Sequence, residues 1–236
     1  MSGDESGRVE AGSAWYLEEQ LDIDKRLLRF RFESIRPHLV GPRGLELGPA
    51  EGLMSELLAA ELEHLTVVEG SRRLLEEIPD SDRITKVHSL FEDFRPPGPF
   101  DCAVVYYVLE HVADPVALLR RVRRWVRPAG RVILGVPNAH SIHRLAAVKM
   151  GLLDEPWQLN ERDRALGHRR VYTWQGLAAD IEHAGLELVE RTGVFLKPLA
   201  NSQIEAHWTP QMIRGFFELG RDLPDHAADL VAVCSP

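Results

Sequence analysis

Short apolar runs alternate with segments of helical periodicity over the first 140 residues of the chain. Apolar runs bounded by turn residues predict five strands, at Gly44–Leu47, Leu65–Glu69, Ile84–His88, Asp101–Tyr107 and Arg131–Val136. Between them, leucine and valine recur at helical spacing over residues 53–62, 72–78 and 114–127. Strands that alternate with helices predict an α/β fold with a parallel, doubly wound sheet.

The start of the chain departs from this alternation. Its first 13 residues are rich in Ser, Gly, Asp and Glu and are expected to form a disordered leader. An apolar stripe then predicts a helix from Trp15 to Leu39. We therefore expect a single folded domain over residues 14–236.

The pattern also changes after the fifth predicted strand. Residues 138–172 show no clear period, and residues 197–225 form a second insertion with a helix at Gln211–Leu219. Long irregular insertions in a compact domain usually serve function, so we expect lid or substrate insertions at both places. Two more strands are predicted around them, at Leu186–Leu196 and Leu230–Cys234.

The turn after the first strand suits the close approach of a ligand. It follows Gly44 and reads G-L-E-L-G-P-A-E-G, and 21 positions after Gly48 the second apolar run ends in Glu69. Gly48, Ala50 and Gly52 are small enough for a ligand to reach the backbone at the strand end. A carboxylate at the tip of the next strand accepts hydrogen bonds from a ribose diol. Together these features predict an adenosine-containing cofactor at the carboxyl edge of the sheet.

Spacing and charge at this turn discriminate between cofactors. A dinucleotide fingerprint is G-x-G-x-x-G, whereas here the middle glycine is Ala50. Glu46 and Glu51 place two acids at the turn, where they repel a pyrophosphate and favour a cation. S-adenosylmethionine carries a sulfonium and an ammonium and no phosphate. The turn therefore favours a methyl donor over a nicotinamide cofactor.

Several segments resemble one known family. They read L-E-L-G-P-A-E-G, V-V-E-G-S, H-S-L-F-E-D-F, F-D-C-A-V-V-Y-Y-V-L-E-H-V and W-V-R-P-A-G-R-V-I-L-G-V-P-N, over roughly residues 40–138. In this order and spacing the chain closely resembles the class I S-adenosylmethionine-dependent methyltransferases. Within them it is similar to the branch of small-molecule O- and N-methyltransferases of ubiquinone and natural-product biosynthesis. The resemblance implies a Rossmann-like, mostly parallel seven-stranded sheet closed by an antiparallel hairpin, with an inserted cap.

The resemblance also implies a set of cofactor contacts. The expected residues are Tyr16, Glu46, Gly48, Ala50, Gly52, Glu69, Gly70, Ser71, Leu90, Phe91 and Tyr106. Leu90 and Phe91 occupy the place where the family packs the adenine ring, and packing in the core is the alternative for both. Many members carry an Asp near Leu90 that this chain lacks, so Glu92 or backbone groups would take that role.

Histidines that follow the predicted strands are candidates for proton transfer. His111 follows the fourth strand, and His140 and His143 follow the fifth. Histidine is the side chain best suited to accept a proton near neutral pH, so these three are the candidate catalytic residues, with purely structural hydrogen bonding as the alternative. In ubiquinone-pathway relatives the run E-x-x-E-H can bind a divalent ion. In this chain Tyr107 occupies the position of the first acid of that run, so we predict no metal site.

Contacts to the methyl acceptor are expected from the rim and the insertions. The candidates are Trp15, Tyr107, Trp157, His168 and Tyr172. The last two lie in the run G-H-R-R-V-Y-T, which resembles a segment of this branch and either closes the substrate pocket or forms a structural turn. Aromatic side chains, Trp208 among them, offer flat surfaces for a sugar or an aromatic ring.

Composition and net charge limit the classes of binding partner that are expected. A chain of 236 residues with 44% hydrophobic and 27% charged residues is ordinary for a globular protein. Its net charge of −8 argues against nucleic-acid binding, and the basic run from Arg120 to Arg127 is explained as a solvated helix face. Cys102 and Cys234 lie in apolar runs and are expected in the core. No apolar run is long enough to span a bilayer, and no signal peptide is visible, so we expect a cytoplasmic protein without a membrane partner.

These observations predict an enzyme that transfers a methyl group from S-adenosylmethionine to a small metabolite, a biosynthetic sugar or natural-product intermediate. The histidines favour a hydroxyl acceptor, because an unactivated alcohol needs a base, whereas an amine needs only to arrive neutral. One alternative is a non-catalytic S-adenosylmethionine-binding scaffold of the same fold. A nicotinamide-dependent oxidoreductase is the other.

Overall fold

The computed structural model describes residues 5–10 and 22–236. In chain order its helices and strands are α1 (residues 5–10), α2 (Asp22–Ile35), β1 (Arg43–Leu47), α3 (Leu53–Glu61), β2 (His64–Glu69), α4 (Arg72–Glu77), β3 (Ile84–His88), β4 (Phe100–Tyr106), α5 (Pro115–Trp125), β5 (Val126–Pro137), α6 (Ile142–Lys149), α7 (Glu161–Ala165), α8 (Trp174–His183), β6 (Glu187–Val194), α9 (Asn201–His207), α10 (Pro210–Asp222) and β7 (Asp229–Ser235). The strands predicted from the apolar runs are all present, with ends that shift by a few residues.

The seven strands form one sheet in the order β3-β2-β1-β4-β5-β7-β6. Neighbours from β3 to β5 are parallel, and β7 pairs antiparallel with both β5 and β6. The predicted seven-stranded, mostly parallel sheet with a closing hairpin is therefore confirmed. The chain order reverses between β1 and β4, which is where open α/β sheets form a crevice for ligands.

Helices cover both faces of the sheet, and each face has its own apolar cluster. One cluster joins the sheet to α5 and α8, and the other joins it to α2, α3, α9 and α10. Side chains alternate between the two faces of a strand. In β4, Ala103 and Val105 belong to the first cluster, and the alternate Cys102 and Val104 belong to the second. This burial on both faces explains why β4 is an unbroken apolar run.

Side chains of capping residues mark the starts of two helices. The Asp114 carboxylate accepts a hydrogen bond from the Ala117 amide at 2.9 Å, directly before Pro115. The Thr173 hydroxyl accepts one from the Gly176 amide at 3.1 Å. Each bond satisfies a helix N–H that has no partner within its own helix.

Both insertions contain more regular structure than their sequences predict. Residues 138–172 form α6 and α7, and residues 197–225 form α9 in addition to α10. A buried ion pair holds the first insertion together, because Arg144 lies 3.0 Å from Asp163 and donates to the Pro156 carbonyl at 2.6 Å. These contacts join residues 12 to 19 positions apart, so helical periodicity does not reveal them.

The structure also bears on the expected disordered leader and on the two cysteines. Residues 5–10, expected to be part of a disordered leader, are helical instead. Cys102 and Cys234 are both buried free thiols, as expected of core residues. None of the helices in residues 5–10 and 22–236 combines the length and apolar character needed to cross a bilayer.

Candidate active site

A cavity of about 650 Å³ opens where β1, β2, β4 and β5 end. Its walls come from α1, α2, the loops that follow the first four strands, the insertion at 138–172 and the segment that follows β6. This volume falls within the roughly 300–1,000 Å³ of small-molecule sites. The cavity is therefore large enough for a cofactor together with a small acceptor.

The turn after β1 exposes its backbone to the cavity. Gly48 and Ala50 have φ angles of 65° and 49°, in the left-handed region that favours glycine. A side chain at Gly48 would meet Val108 at 2.8 Å, so only glycine keeps the backbone this close to the cavity. Gly52 has a different role from the one expected. It caps α3 and faces Ile78, and it does not line the cavity.

Two buried carboxylates face the cavity from the tips of β1 and β2. Glu46 is 3% exposed and Glu69 is 5% exposed. The Glu46 carboxylate accepts a hydrogen bond from the Ser55 hydroxyl at 2.6 Å. Burial raises the pKa of Glu46 to about 7, and the charge of Glu69 adds to this effect. Within the described residues neither carboxylate has an ion pair to a basic side chain, so a cationic ligand would stabilise both.

Backbone amides hold Glu69 in place. Its carboxylate accepts hydrogen bonds from the Ser71 amide at 2.9 Å and from the amides of Ala50 and Gly70. Burial nevertheless raises the pKa of Glu69, because these bonds do not replace all the water it has lost. Ser71 was expected to touch the cofactor, but its side chain caps α4 and lies outside the cavity wall. Its contribution is to fix the orientation of Glu69.

The region expected for adenine lies beside the β2 tip. Leu90, Phe91 and Glu92 line the cavity, and a side chain added at Gly70 would meet Val9 of α1 at 3.1 Å and Leu90 at 3.4 Å. Phe91 also packs against the core cluster beneath it, which is the alternative role considered for it, and its contact with adenine stays a prediction.

Helix α1 forms part of the wall over this region. Glu10 accepts hydrogen bonds from the Ser71 hydroxyl at 2.8 Å and from the Arg72 amide at 2.7 Å. Glu5 forms an ion pair with Arg169 at 3.0 Å. Both contacts join α1 to residues far away in the sequence. Composition does not reveal such contacts, and it therefore suggested a disordered leader.

A hydrogen-bonded cluster forms the floor of the cavity beyond β4. Arg31 of α2 lies 2.8 Å from the Asp229 carboxylate, which also accepts hydrogen bonds from the Tyr106 and Tyr107 hydroxyls. Burial keeps the pKa of both tyrosines well above the usual value, so both hydroxyls stay protonated. Tyr107 has a φ of 56°, which turns the chain sharply at the strand end. Sequence reasoning missed Arg31 and Asp229, which lie 198 positions apart.

Comparison with known proteins agrees with this geometry. The family described as a methyltransferase domain matches residues 16–191. This chain belongs to the class I S-adenosylmethionine-dependent methyltransferases. Its cofactor is S-adenosylmethionine, and the nicotinamide alternative is set aside.

The relatives of this methyltransferase include enzymes named for ubiquinone biosynthesis. It is 26% identical over 189 residues to a ubiquinone biosynthesis O-methyltransferase of Xylella fastidiosa (strain M23), covering 74% of this chain and 72% of the relative. An S-adenosylmethionine-dependent methyltransferase from Mesorhizobium loti superposes with a TM-score of 0.60 at 16% identity, over 91% of this chain and 100% of the other. The N-methyltransferase NodS from Bradyrhizobium japonicum WM9, in complex with S-adenosyl-L-homocysteine, gives 0.57 at 18% identity, over 98% and 96%. The two solved structures confirm the fold, and the family assignment supports methylation of a small molecule.

The three histidines proposed as bases have different positions in the methyltransferase. His111 and His143 line the cavity, and burial lowers the pKa of each to about 3. Both are therefore neutral at physiological pH and are weak bases. His140 does not line the cavity, and its backbone bonds to Asn138 and His226 instead. It precedes the first residue of α6, so it does not share a helix face with His143 as expected.

Three side chains near the tip of β4 have the chemistry of metal ligands. One ligand atom each from Glu110, His111 and His168 lies within 4.8 Å of the others. Glu110 is fully buried, and neither of its carboxylate oxygens has a partner from another described residue. His168 comes from the insertion and would supply a third ligand in place of the acid missing at Tyr107. The expectation of a metal-independent enzyme stays a prediction.

The expected acceptor contacts divide into two groups. Tyr107 and His168 line the cavity. Trp157 is 53% exposed and lies outside it, and the buried Tyr172 donates its hydroxyl to Asp180 at 2.9 Å instead. Their positions in the sequence indicated the edge of the sheet near which these residues lie, but not whether their side chains face the cavity. Trp15 and Tyr16 lie outside the described residues.

Proposed function

We propose that this methyltransferase methylates an acidic hydroxyl, of the phenol or enol type, on a small biosynthetic intermediate. The observation that carries the proposal is the burial of two of the three histidines that line the cavity, His111 and His143, which lowers the pKa of each to about 3. A general base works best when its pKa lies near the working pH, so these side chains are poor bases for an aliphatic alcohol. A phenol, with a pKa of about 10, gives up its proton far more readily. For His111 and His143, a sugar hydroxyl is therefore a less suitable acceptor than a phenol.

The residues at the strand tips account for cofactor binding. Glu69 would accept hydrogen bonds from the ribose hydroxyls, and the backbone at Gly48 and Ala50 allows close approach. Glu46 would stabilise the ammonium of the methionine moiety. The sulfonium is already a good leaving group, so the main task left to the protein is to align the acceptor oxygen with the methyl carbon and sulfur.

A neutral amine is the second candidate acceptor. It needs no base at all, so the low pKa values of His111 and His143 also favour it over an aliphatic alcohol. Cytoplasmic location and the absence of nucleic-acid and membrane partners remain predictions.

Calorimetric titration followed by a turnover assay tests the proposal. S-adenosylhomocysteine should bind the wild type, and Glu69→Gln should weaken binding by about tenfold or more, because it removes a buried charged acceptor. Glu63→Gln, at an exposed acid on the turn before β2, is the matched control and should bind normally.

Turnover is then measured with phenols, aliphatic alcohols and amines of similar size. Methylation of phenols supports the proposal, and methylation of alcohols or amines alone contradicts it. Cofactor binding without turnover on any acceptor class would support the scaffold alternative.

A further inference from the structure

The cavity is divided electrostatically into two ends. Its cofactor end, formed by the segments at the tips of β1, β2 and β3, contributes four acidic side chains and no Lys or Arg: Glu46, Glu51, Glu69 and Glu92. Helix α1 adds Glu5 and Arg8, one charge of each sign. This end is complementary to a cation such as S-adenosylmethionine.

The opposite end has an excess of basic side chains. It is formed by α2, the insertion at 138–172, the segment that follows β6 and the start of β7. Its acidic residues are Asp24, Asp163 and Asp229. Its basic residues are Lys25, Arg31, Arg144, Arg162 and Lys197. This acceptor end is therefore complementary to an anion.

Each acid of the acceptor end already has a partner. Asp229 is bound by Arg31, as described above. Asp163 is paired with Arg144 at 3.0 Å, and Asp24 accepts a hydrogen bond from the Asn201 side-chain amide at 2.5 Å. Two of the three acids are therefore neutralised by an arginine, and none of the three forms an ion pair with Lys197 within the described residues.

Lys197 is a half-buried cation of this end without such a partner, whereas Lys25 is exposed to solvent. Its half-buried side chain lines the cavity, and its ammonium has no hydrogen bond or ion pair within the described part of the chain. Burial lowers the pKa of Lys197 to about 8, so about nine-tenths of the amine is protonated at pH 7. A partly buried ammonium without an anion is unfavourable unless a ligand supplies one.

The backbone is built to place Lys197 at this position. At the end of β6, Phe195 has a φ of 61°, and its carbonyl accepts a hydrogen bond from the Ala228 amide at 2.7 Å. Only three non-glycine residues in the described ranges have positive φ angles, and Ala50, Tyr107 and Phe195 all line the cavity. Strained residues of this kind cluster at functional sites. The first two shape the cofactor end and the floor, and the third directs the chain toward Lys197.

We propose that Lys197 binds a carboxylate of the methyl acceptor, which is a hydroxy acid with an apolar body. The apolar body would pack against Leu28, Leu166 and Phe195, which line the same end of the cavity. One ammonium suits a single negative charge. A phosphate carries more charge and would lie close to Asp24 and Asp229, which raise the pKa of Lys197 through their negative charges.

This inference rests on the proposed function, and the test separates the two. Three probes place a phenol and a carboxylate at different separations: 3,4-dihydroxybenzoate, 4-hydroxyphenylacetate and 4-hydroxycinnamate. Each is compared with its neutral amide by calorimetry at pH 7, using the full chain saturated with S-adenosylhomocysteine. At least one acid should bind about tenfold more tightly than its amide, because it gains a charge-assisted hydrogen bond.

The acid preference should disappear in Lys197→Met, which keeps the apolar stem, while affinity for S-adenosylhomocysteine stays normal. Lys149→Met removes an exposed positive charge outside the cavity and should keep the preference. If Lys197→Met fails to fold, Lys197→Gln replaces it.

Equal binding of all three acids and their amides by the wild type would overturn the inference. A preference for the acid that survives in Lys197→Met but is lost in Arg162→Met would also overturn it, because the carboxylate would then be bound by Arg162. A wild type that does not bind S-adenosylhomocysteine would instead refute the proposed function.

Discussion

The buried Glu46 carboxyl gives a quantitative prediction, because folding raises its pKa from 4.5 to about 7. A group that binds its proton more tightly in the folded state destabilises the protein as pH rises between these two values. Each unit of pKa corresponds to 1.36 kcal/mol, so ionised Glu46 lowers the free energy of unfolding by at most about 3 kcal/mol above pH 8. Glu46→Gln removes this ionisation and retains an oxygen that can accept the Ser55 hydrogen bond.

The variant should therefore match the wild type at pH 5 and be more stable at pH 8.5. For a chain of this length, about 3 kcal/mol corresponds to a rise in Tm of roughly 6–12 °C. The same variant should bind S-adenosylhomocysteine about tenfold more weakly at pH 8.5, because the ligand ammonium loses its buried counter-charge. Stability and cofactor affinity thus change in opposite directions.

Urea denaturation at both pH values, with and without S-adenosylhomocysteine, measures the two effects. Glu63→Gln is the control, because Glu63 is exposed and should change neither quantity. A difference in stability between Glu46→Gln and the wild type that is the same at pH 5 and pH 8.5 would refute the raised pKa. Unchanged cofactor affinity would show that Glu46 does not face the ligand.

The remaining predictions concern the acceptor side of the site. His111→Ala should lower turnover by about ten- to a hundredfold, a smaller loss than removal of a strong general base causes. His140→Ala should leave turnover normal, because His140 lies outside the cavity. Equal losses of turnover for the two variants in steady-state assays would contradict these positions of the two histidines. Exhaustive chelation should leave turnover unchanged, and loss of activity that Mg²⁺ or Zn²⁺ restores would instead assign a metal to Glu110, His111 and His168. Arg144→Met should lower the free energy of unfolding by about 3–5 kcal/mol, because it leaves Asp163 buried without its cation; a loss below 1 kcal/mol in urea denaturation would show that the pair is not buried. Hydrogen exchange over residues 138–172 should slow when S-adenosylhomocysteine binds, and an unchanged rate would argue against a lid.

Sequence reasoning succeeded where local pattern determines structure. Apolar runs located all seven strands, and the turn from Gly48 and the strand-end Glu69 both line the cavity, as their positions predict. These features depend on strand periodicity and on the convergence of parallel strand ends at one edge.

It failed where side-chain direction or distant pairing decides the outcome. Gly52 caps α3 and Tyr172 donates its hydroxyl to Asp180, and neither lines the cavity. Arg31 sits on the largely apolar stripe of α2, and only its contact with Asp229 reveals its place in the site. Lys197 lies just beyond a strand end, and the left-handed turn at Phe195 that places it has no signature in residue type.

A crystal structure with S-adenosylhomocysteine tests the central claim most directly. We predict that both ribose hydroxyls lie within about 3.2 Å of the Glu69 carboxylate, with the adenine between Leu90 and the turn at Gly48. The homocysteine ammonium should lie on the Glu46 side, and the sulfur should point toward Tyr107 and the basic end of the cavity. A ligand bound elsewhere, or a ribose that makes no contact with Glu69, would contradict the account.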